Sequence, residues 1–177
     1  MEQSNRVDKK IILQLNIRFA LPDDLSAIVE IYNQAISAGN ATADLSLLTV
    51  ENRQQWFGEH SENDYPIYVL ERNNHIIGWG SLSPYRKGRA ALKETAEISY
   101  YLHYDYHGKG FGRKLIEFII DDCNRLNINN LFAILLEVNR QSIAVLEKIG
   151  FEKWGYLPGV ANLNGKICGH LIYGRNL

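Results

Sequence analysis

Residues 106–115 read YHGKGFGRKL, and this stretch decides the fold because it joins a strand pattern to a helix pattern through three alternate glycines. Glycines let successive backbone N–H groups turn toward one point, and the N-terminus of the next helix adds partial positive charge. Such a turn favours a bound phosphate group, most naturally a diphosphate. The alternative is a flexible strand-to-helix turn, which needs fewer glycines than this stretch provides.

Two familiar phosphate-binding motifs do not fit the glycine stretch. A Walker loop requires Lys and then Ser or Thr after its last glycine, but Arg113 and Lys114 follow Gly112. A dinucleotide fingerprint that starts with Gly108 and Gly110 requires a further glycine at position 113, which is Arg. The remaining pattern is a strand, three glycines and a helix.

Hydrophobic periodicity on both sides of this stretch predicts a mixed α/β domain with the element order βααβββαβαββ. Apolar residues at helical spacing predict four helices, near residues 22–36, 49–60, 113–126 and 139–150. Alternating or continuous apolar runs predict strands near residues 16–20, 65–72, 76–85, 95–104 and 131–138, with two more after residue 150. We expect residues 1–14 to form an N-terminal extension and residues 15–177 to form one domain.

The bulk composition fits an ordinary globular domain, with 177 residues of which 46% are hydrophobic and 22% charged. A net charge of −1 argues against nucleic acid or an anionic membrane as a partner. No apolar run approaches the roughly 18 residues of a membrane helix, and residues 11–13 are too short for a secretory signal. Cys123 and Cys168 lie far apart, so we expect reduced thiols, a cytoplasmic location and no metal site.

Two segments resemble the GCN5-related N-acetyltransferases, the GNAT superfamily. HGKGFG at 107–112 resembles its [QR]-x-x-G-x-[GA] signature, which binds the pyrophosphate of acetyl-CoA, although His107 replaces Gln or Arg. EVNRQSIAVLEKIGF at 137–151 resembles the segment whose Asn lies beside the pantetheine arm. The resemblance implies a GNAT fold, with a mixed central sheet flanked by about four helices, and acetyl-CoA as co-substrate.

The GNAT resemblance also implies which residues bind acetyl-CoA. The glycine turn would hold the pyrophosphate, the preceding strand would offer free backbone N–H groups, and the later helix would flank the pantetheine arm. These residues are Tyr100, Tyr101, Leu102, His107, Gly108, Lys109, Gly110, Phe111, Gly112, Arg113, Asn139 and Ser142. Leu146 occupies the position that often holds a tyrosine acid in the superfamily, so this chain lacks that proton donor.

From about residue 16 to the C-terminus, the chain further resembles the phosphinothricin N-acetyltransferase family. Segments that carry this resemblance include IYNQAI, NATADLSLLTVENRQQWF, GWGSLSPYR and KWGYLPGVANLNGK. Members acetylate the α-amine of glutamate or methionine analogues such as phosphinothricin, methionine sulfoximine and methionine sulfone. The resemblance also implies a homodimer. Near the end, Gly169 and His170 stand where many relatives carry an Asp.

Glu97 is the candidate catalytic residue. An α-amine has a pKa of about 7.7–8 and must lose a proton before it attacks a thioester, so the site needs a base. Glu97 lies on the strand before the glycine turn, where partial desolvation would raise its pKa. The alternative is a solvent-facing glutamate. Ser99 alternates onto the same strand face and would contact the acceptor, and a backbone N–H of this strand would polarise the thioester carbonyl.

Tyr85, Arg86 and Arg89 precede that strand and are candidate substrate-binding residues together with Glu97 and Ser99. The planar fork of arginine suits a carboxylate or a phosphinate. The alternative is a basic loop that serves only solubility. Other aromatic residues fit core positions, namely Phe19, Tyr32 and Trp56.

Three functions remain open at this point. The first is acetyl-CoA-dependent N-acetylation of a small amino-acid analogue. The second keeps the same fold and cofactor but takes a protein or peptide amine as acceptor; Arg86 and Arg89 argue against it, since a peptide offers no free carboxylate to pair with. The third is a non-catalytic CoA-binding regulatory module, and Glu97 argues against it because a module that only binds CoA needs no base.

Overall fold

Seven strands and four α-helices follow one another along residues 15–177, the part of the chain that the computed structural model describes. They are β1 (Leu15–Phe19), α1 (Leu25–Ala38), α2 (Val50–Gly58), β2 (Ile67–Arg72), β3 (His75–Pro84), β4 (Thr95–Leu102), α3 (Phe111–Cys123), β5 (Asn130–Leu136), α4 (Arg140–Lys148), β6 (Glu152–Leu163) and β7 (Lys166–Asn176). The order βααβββαβαββ confirms the sequence prediction. The predicted extension at residues 1–14 lies outside the described residues.

The observed element ends follow from local backbone chemistry. Gly110 adopts a left-handed conformation, with φ of 79°, and α3 begins directly after it, two residues earlier than predicted. β4 ends at Leu102 because a short 3-10 turn follows at Tyr104–Tyr106. Thr49 caps α2, since its hydroxyl accepts a hydrogen bond of 3.3 Å from the Asn52 N–H.

The seven strands form one mixed sheet in the spatial order β1-β2-β3-β4-β5-β7-β6. β4 pairs with β3 in antiparallel fashion along its whole length, from residues 96 to 102. It pairs in parallel with β5 only at residues 95–97, opposite 130–132. Beyond Glu97 the two strands therefore separate, and the sheet opens between β4 and β5.

The core lies in two layers, one on each face of the sheet. On one face α3 and α4 pack with β2–β5, and the apolar stripe of α3 is buried at Leu115, Ile116, Ile119 and Cys123. Full burial of each large apolar side chain contributes about 1.5–3 kcal/mol. On the other face α1 and α2 pack against β2 and β3. The continuous apolar run of β5 is typical of a strand buried on both faces, but Ile134 is 39% exposed.

Within residues 15–177, no helix combines the length and the apolar character that a membrane crossing requires. In the same part of the chain, no three or more His, Cys, Asp or Glu side chains are placed to share a metal ion. Cys123 and Cys168 are both buried and both free.

Candidate active site

The glycine turn after β4 presents open backbone. Gly108 and Gly110 have φ of 72° and 79°, in the left-handed region that disfavours other residues, and a Cβ at either would meet no atom within 4 Å. These two glycines are therefore required by the backbone conformation and not by packing. The first N–H groups of α3 lack intrahelical partners and face the same end. The turn thus fits a diphosphate, with backbone donors and free space.

Three side chains of the glycine turn form hydrogen bonds or ion pairs with neighbouring residues of the chain. The imidazole Nε2 of His107 lies 3.0 Å from the Leu102 carbonyl oxygen. Lys109 donates from Nζ to the Asp105 carbonyl at 2.6 Å, and Arg113 pairs with Glu117 at 2.7 Å. The backbone N–H groups of the turn are therefore available to a ligand, together with the donors of Lys109 and Arg113 that these contacts leave unused. His107 has a structural contact of its own, which the sequence did not signal.

The hydrogen-bond pattern shows which way the backbone of β4 points. The His103 N–H donates to the Ile77 carbonyl at 2.9 Å, and the Thr95 carbonyl accepts from the Tyr85 N–H at 3.3 Å. In both bonds the residue that pairs with the β3 side is odd-numbered. Along a strand, the backbone N–H and C=O groups of successive residues point to opposite edges, so those of the even-numbered residues of β4 point toward β5. Consistently, the Glu94 carbonyl accepts from the backbone just before β5.

This alternation directs the backbone groups of Ile98, Tyr100 and Leu102 into the opening between β4 and β5. Tyr100 and Leu102 are two of the three residues predicted to offer backbone groups to the cofactor. The third, Tyr101, turns its N–H toward β3 instead. The sequence did not indicate Ile98 as a third such residue, because the phase of the alternation depends on the pairing with β3 and not on the local sequence.

The start of α4 borders the same opening. The Asn139 side-chain oxygen caps the helix by accepting a hydrogen bond of 3.2 Å from the Ser142 N–H. The Tyr100 hydroxyl donates to the Ser142 carbonyl at 3.5 Å, and burial raises the pKa of Tyr100 to about 12. Leu146 is fully buried in the core. A hydrophobic side chain thus fills the position of the superfamily's tyrosine acid, as the sequence indicated.

Glu97 lies where the sheet begins to open, paired with Ser83 of β3 on one side and Phe132 of β5 on the other. Burial raises the pKa of the Glu97 carboxyl, and no hydrogen bond or charge within residues 15–177 contributes to that shift. A carboxylate without such partners has its lone pairs free. The arrangement suits a general base.

Tyr85 and Arg86 lie near Glu97 through a short chain of contacts. The Tyr85 ring packs edge-on against Phe132 with centroids 5.1 Å apart, and the Arg86 guanidinium carbon lies 5.6 Å from the Tyr85 centroid. Both residues are exposed. Arg89 is also exposed, and its N–H donates to the Arg86 carbonyl at 3.1 Å. The loop therefore places a cation beside the Glu97 end of β4.

The aromatic residues assigned to the core are packed as expected, and one of them, Tyr32, contacts Tyr101 of β4. Tyr32 is buried, while Trp56 and Phe19 are half-buried. We call the four residues Tyr32, Trp56, Trp79 and Tyr101 the aromatic cluster. Its ring centroids lie 4.8–6.0 Å apart in four contacting pairs. The cluster covers the end of β4 that is remote from Glu97.

Gly169, one of the positions that depart from the family pattern, has a packing role. A Cβ at Gly169 would overlap the Tyr156 ring, which lies across it. The Tyr156 hydroxyl donates to Glu137 at 2.8 Å, and the Gly169 N–H donates to the same carboxylate at 2.6 Å. Glycine at this position therefore makes room for Tyr156.

Comparison with known proteins agrees with this geometry. Residues 26–151 match the family described as the Acetyltransferase (GNAT) family. A Bacillus subtilis protein, provisionally described as a phosphinothricin acetyltransferase, is 37% identical over 164 residues, which cover 92% of this chain and 99% of that protein. An L-methionine sulfoximine/L-methionine sulfone acetyltransferase from Salmonella typhimurium is 32% identical, with coverage of 82% and 85%.

A solved structure shows the same similarity in three dimensions. It is a GNAT superfamily phosphinothricin acetyltransferase from Sinorhizobium meliloti in complex with acetyl-CoA. The TM-score is 0.85 at 27% identity, and the match covers 92% of this chain and 88% of the other. The fold is therefore one that holds acetyl-CoA in a relative.

Proposed function

The chain belongs to the GNAT family of acetyltransferases and uses acetyl-CoA as its acetyl donor, and from this premise we propose that its acceptor is the α-amine of a small amino-acid analogue of the phosphinothricin or methionine sulfoximine type. The observation that carries the proposal is Glu97, a carboxylate with a raised pKa at the point where β4 and β5 separate. The named activities of the relatives support the choice of acceptor class.

Acetyl-CoA supplies an activated acetyl thioester when it is bound. In the proposed site, the backbone of the turn from Gly108 to Arg113 holds the pyrophosphate, together with the N-terminus of α3. Backbone groups of Tyr100 and Leu102 hydrogen-bond along the opening of the sheet, and Ile98 joins them. Asn139 and Ser142 flank the opening from α4. A backbone N–H of β4 polarises the carbonyl to be attacked.

Glu97 removes a proton from the acceptor ammonium, directly or through a water molecule. Its raised pKa improves it as a base, because a carboxylate with a higher pKa binds a proton more readily. The acceptor amine titrates at about 7.7–8, so most of it is charged at neutral pH. Proton removal by Glu97 therefore makes the charged majority of the acceptor available for attack.

Acceptor binding is assigned to the face of β4 that carries Glu97 and Ser99. Tyr85 borders this face through Phe132, and Arg86 is stacked on Tyr85. In the proposal, Arg86 and Arg89 pair with the acceptor's α-carboxylate through charge-assisted hydrogen bonds. A protein or peptide acceptor is disfavoured, since it lacks a free carboxylate next to the amine.

We further propose that the chain forms a homodimer, as expected from the family resemblance. β6 lies at the edge of the sheet and exposes Trp154, Leu157 and Val160, which are 45–56% exposed. An unprotected apolar edge strand favours pairing with another chain. In a two-fold dimer, each copy would bury this strand against the same strand of the other copy. Light scattering of the parent and of Val160→Asp tests the dimer, which the added charge should weaken.

A thiol-release assay with acetyl-CoA and a panel of amines tests the proposed function. The panel contains phosphinothricin, methionine sulfoximine, methionine sulfone, their carboxamides and a short peptide. The proposal requires turnover of at least one free amino-acid analogue and a strong preference for it over its carboxamide. Turnover of the peptide at a rate equal to or above that of every analogue would instead assign a peptide amine as the acceptor.

A further inference from the structure

Arg53 on α2 is half-buried in an aromatic setting. Its guanidinium carbon lies 4.8 Å from the Tyr32 ring centroid and 4.5 Å from the Trp56 ring centroid. None of the ion pairs within residues 15–177 includes Arg53. The Asp44 carboxylate forms none of these ion pairs. It accepts a hydrogen bond of 2.7 Å from the Tyr32 hydroxyl instead.

A guanidinium in this position keeps its hydrogen-bonding capacity. Contact through its face with aromatic rings stabilises the cation and leaves the N–H donors at its edge free. Partial desolvation strengthens any charge-assisted hydrogen bond that those donors make. The aromatic cluster also contains the Trp79 indole N–H, which is buried and has no acceptor among the described residues. This end of the sheet therefore offers donors, from Arg53 and Trp79, that no acceptor in the cluster takes up.

The charge of Arg53 reaches the face of β4 that carries the candidate base. Burial raises the pKa of both Tyr32 and Tyr101, and the positive charge of Arg53 acts against that rise in each case. Tyr101, Ser99 and Glu97 alternate onto one face of β4. Four residues of extended strand span about 13 Å. Cations therefore border this face at both ends, with Arg86 near Glu97 and Arg53 near Tyr101.

We infer that Arg53 binds the polar end of the acceptor's side chain and selects acceptors whose side chain ends in phosphinate, sulfoximine, sulfone or carboxylate oxygens. This inference rests on the proposed function, in which the loop arginines bind the α-carboxylate. An acceptor held at both ends keeps its amine near Glu97. An apolar side chain of similar length gains nothing from Arg53, because it presents no acceptor oxygen to the guanidinium.

Paired acceptors test the inference. Phosphinothricin has an anionic side chain, whereas methionine has an apolar side chain of similar length and the same α-carboxylate and amine. Arg53→Met keeps the length of the side chain but removes its charge and donors. We expect kcat/KM for phosphinothricin to fall about ten- to a hundredfold, mainly through KM, while kcat/KM for methionine changes less than twofold. Arg53→Lys should retain part of the activity.

Two controls separate substrate binding from a structural effect. Gln54→Ala alters an exposed neighbour on the same helix and should leave both acceptors unchanged. Calorimetric affinity for acetyl-CoA should be equal in the parent and both Arg53 variants, which shows that the fold is intact. Equal losses for phosphinothricin and methionine, or no loss for either, would overturn the inference. If the parent itself acetylates neither, the proposed acceptor class fails and the inference fails with it.

Discussion

Glu97 and Phe132 face each other at the last paired position between β4 and β5, so the candidate base lies at the point where the sheet opens. On the far side of this position, β4 keeps its pairing with β3 but leaves its other edge free. The backbone that would hold acetyl-CoA and the side chain that would deprotonate the acceptor therefore belong to one strand. Their relative position is fixed by the register of the sheet.

Replacing Glu97 by Gln keeps the shape of the side chain and removes its proton affinity. We expect kcat/KM near neutral pH to fall about 10²–10⁴-fold, as is typical for the loss of a general base. In the parent, activity should decline as the pH falls through the raised pKa of Glu97, since the base is then protonated. The part of this decline that comes from Glu97 should be absent from the variant, whose pH–rate profile should follow the titration of the acceptor amine alone.

Alkaline conditions provide the control for that experiment. Part of the lost rate should return at high pH, because more of the acceptor amine is then already neutral. A raised KM with an unchanged kcat and no recovery in alkali would mean that Glu97 only attracts the ammonium group.

The same substitution should stabilise the protein. Because burial raises the pKa of Glu97 in the folded state, its protonated form folds more favourably than its ionised form. The stabilisation that comes from the protonated Glu97 carboxyl is fully present below the pKa of the unfolded state. It is lost as the pH rises through the pKa of the folded state. Glu97→Gln should therefore have a higher Tm than the parent at pH 7. The difference should vanish below about pH 4, where the carboxyl is protonated in both states. A lower Tm at pH 7 would contradict the burial of an unpaired carboxylate.

The glycine turn predicts a specific loss of cofactor affinity. Gly110→Val forces a branched side chain into a left-handed backbone and fills the open face of the turn. We expect calorimetry to show acetyl-CoA binding at least about tenfold weaker. Gly165→Val is the matched control, since Gly165 also has positive φ and open surroundings but lies in the β6–β7 turn. Equal binding by the parent and Gly110→Val would place the pyrophosphate elsewhere.

The basic loop predicts discrimination between charged and neutral acceptors. Arg86→Ala should raise the acceptor KM about ten- to a hundredfold, the effect of losing one charge-assisted hydrogen bond of roughly 1.5–3 kcal/mol. Arg89→Ala should act in the same direction, and neither change should alter the affinity for acetyl-CoA. Converting the acceptor carboxylate to a carboxamide should lower kcat/KM of the parent far more than that of the variants. An equal loss of kcat/KM in all three would identify these arginines as part of a solvated loop.

His107 is expected to act differently from the Gln or Arg that the family signature has at this position. Its ring holds the Leu102 carbonyl at 3.0 Å, which links the glycine turn to the end of β4. We expect His107→Ala to weaken acetyl-CoA binding several-fold, and His107→Arg to keep or improve it because the family residue is restored. Calorimetry of the two variants checks this. A large loss for His107→Arg would show that the imidazole contact itself is essential.

Much of the site could be predicted because its elements are specified locally. Periodicity of apolar residues gave the element order, and the caps at Thr49 and Gly110 explain where α2 and α3 begin. The three alternate glycines predicted an open backbone turn, and Gly108 and Gly110 adopt left-handed backbone there. Glu97 could be proposed as the base because it lies on the strand that leads into that turn.

The sequence by itself thus determined the order of elements, the glycine turn and the identity of the candidate base, since each depends on residues close together in the chain. Only the tertiary structure decided that the sheet opens after Glu97 and that Ile98, not Tyr101, points its backbone into the opening. It also decided that Arg53 lies over Tyr32 and Trp56. These features depend on register and packing between segments that are distant in sequence. Local propensity carries no information about such contacts.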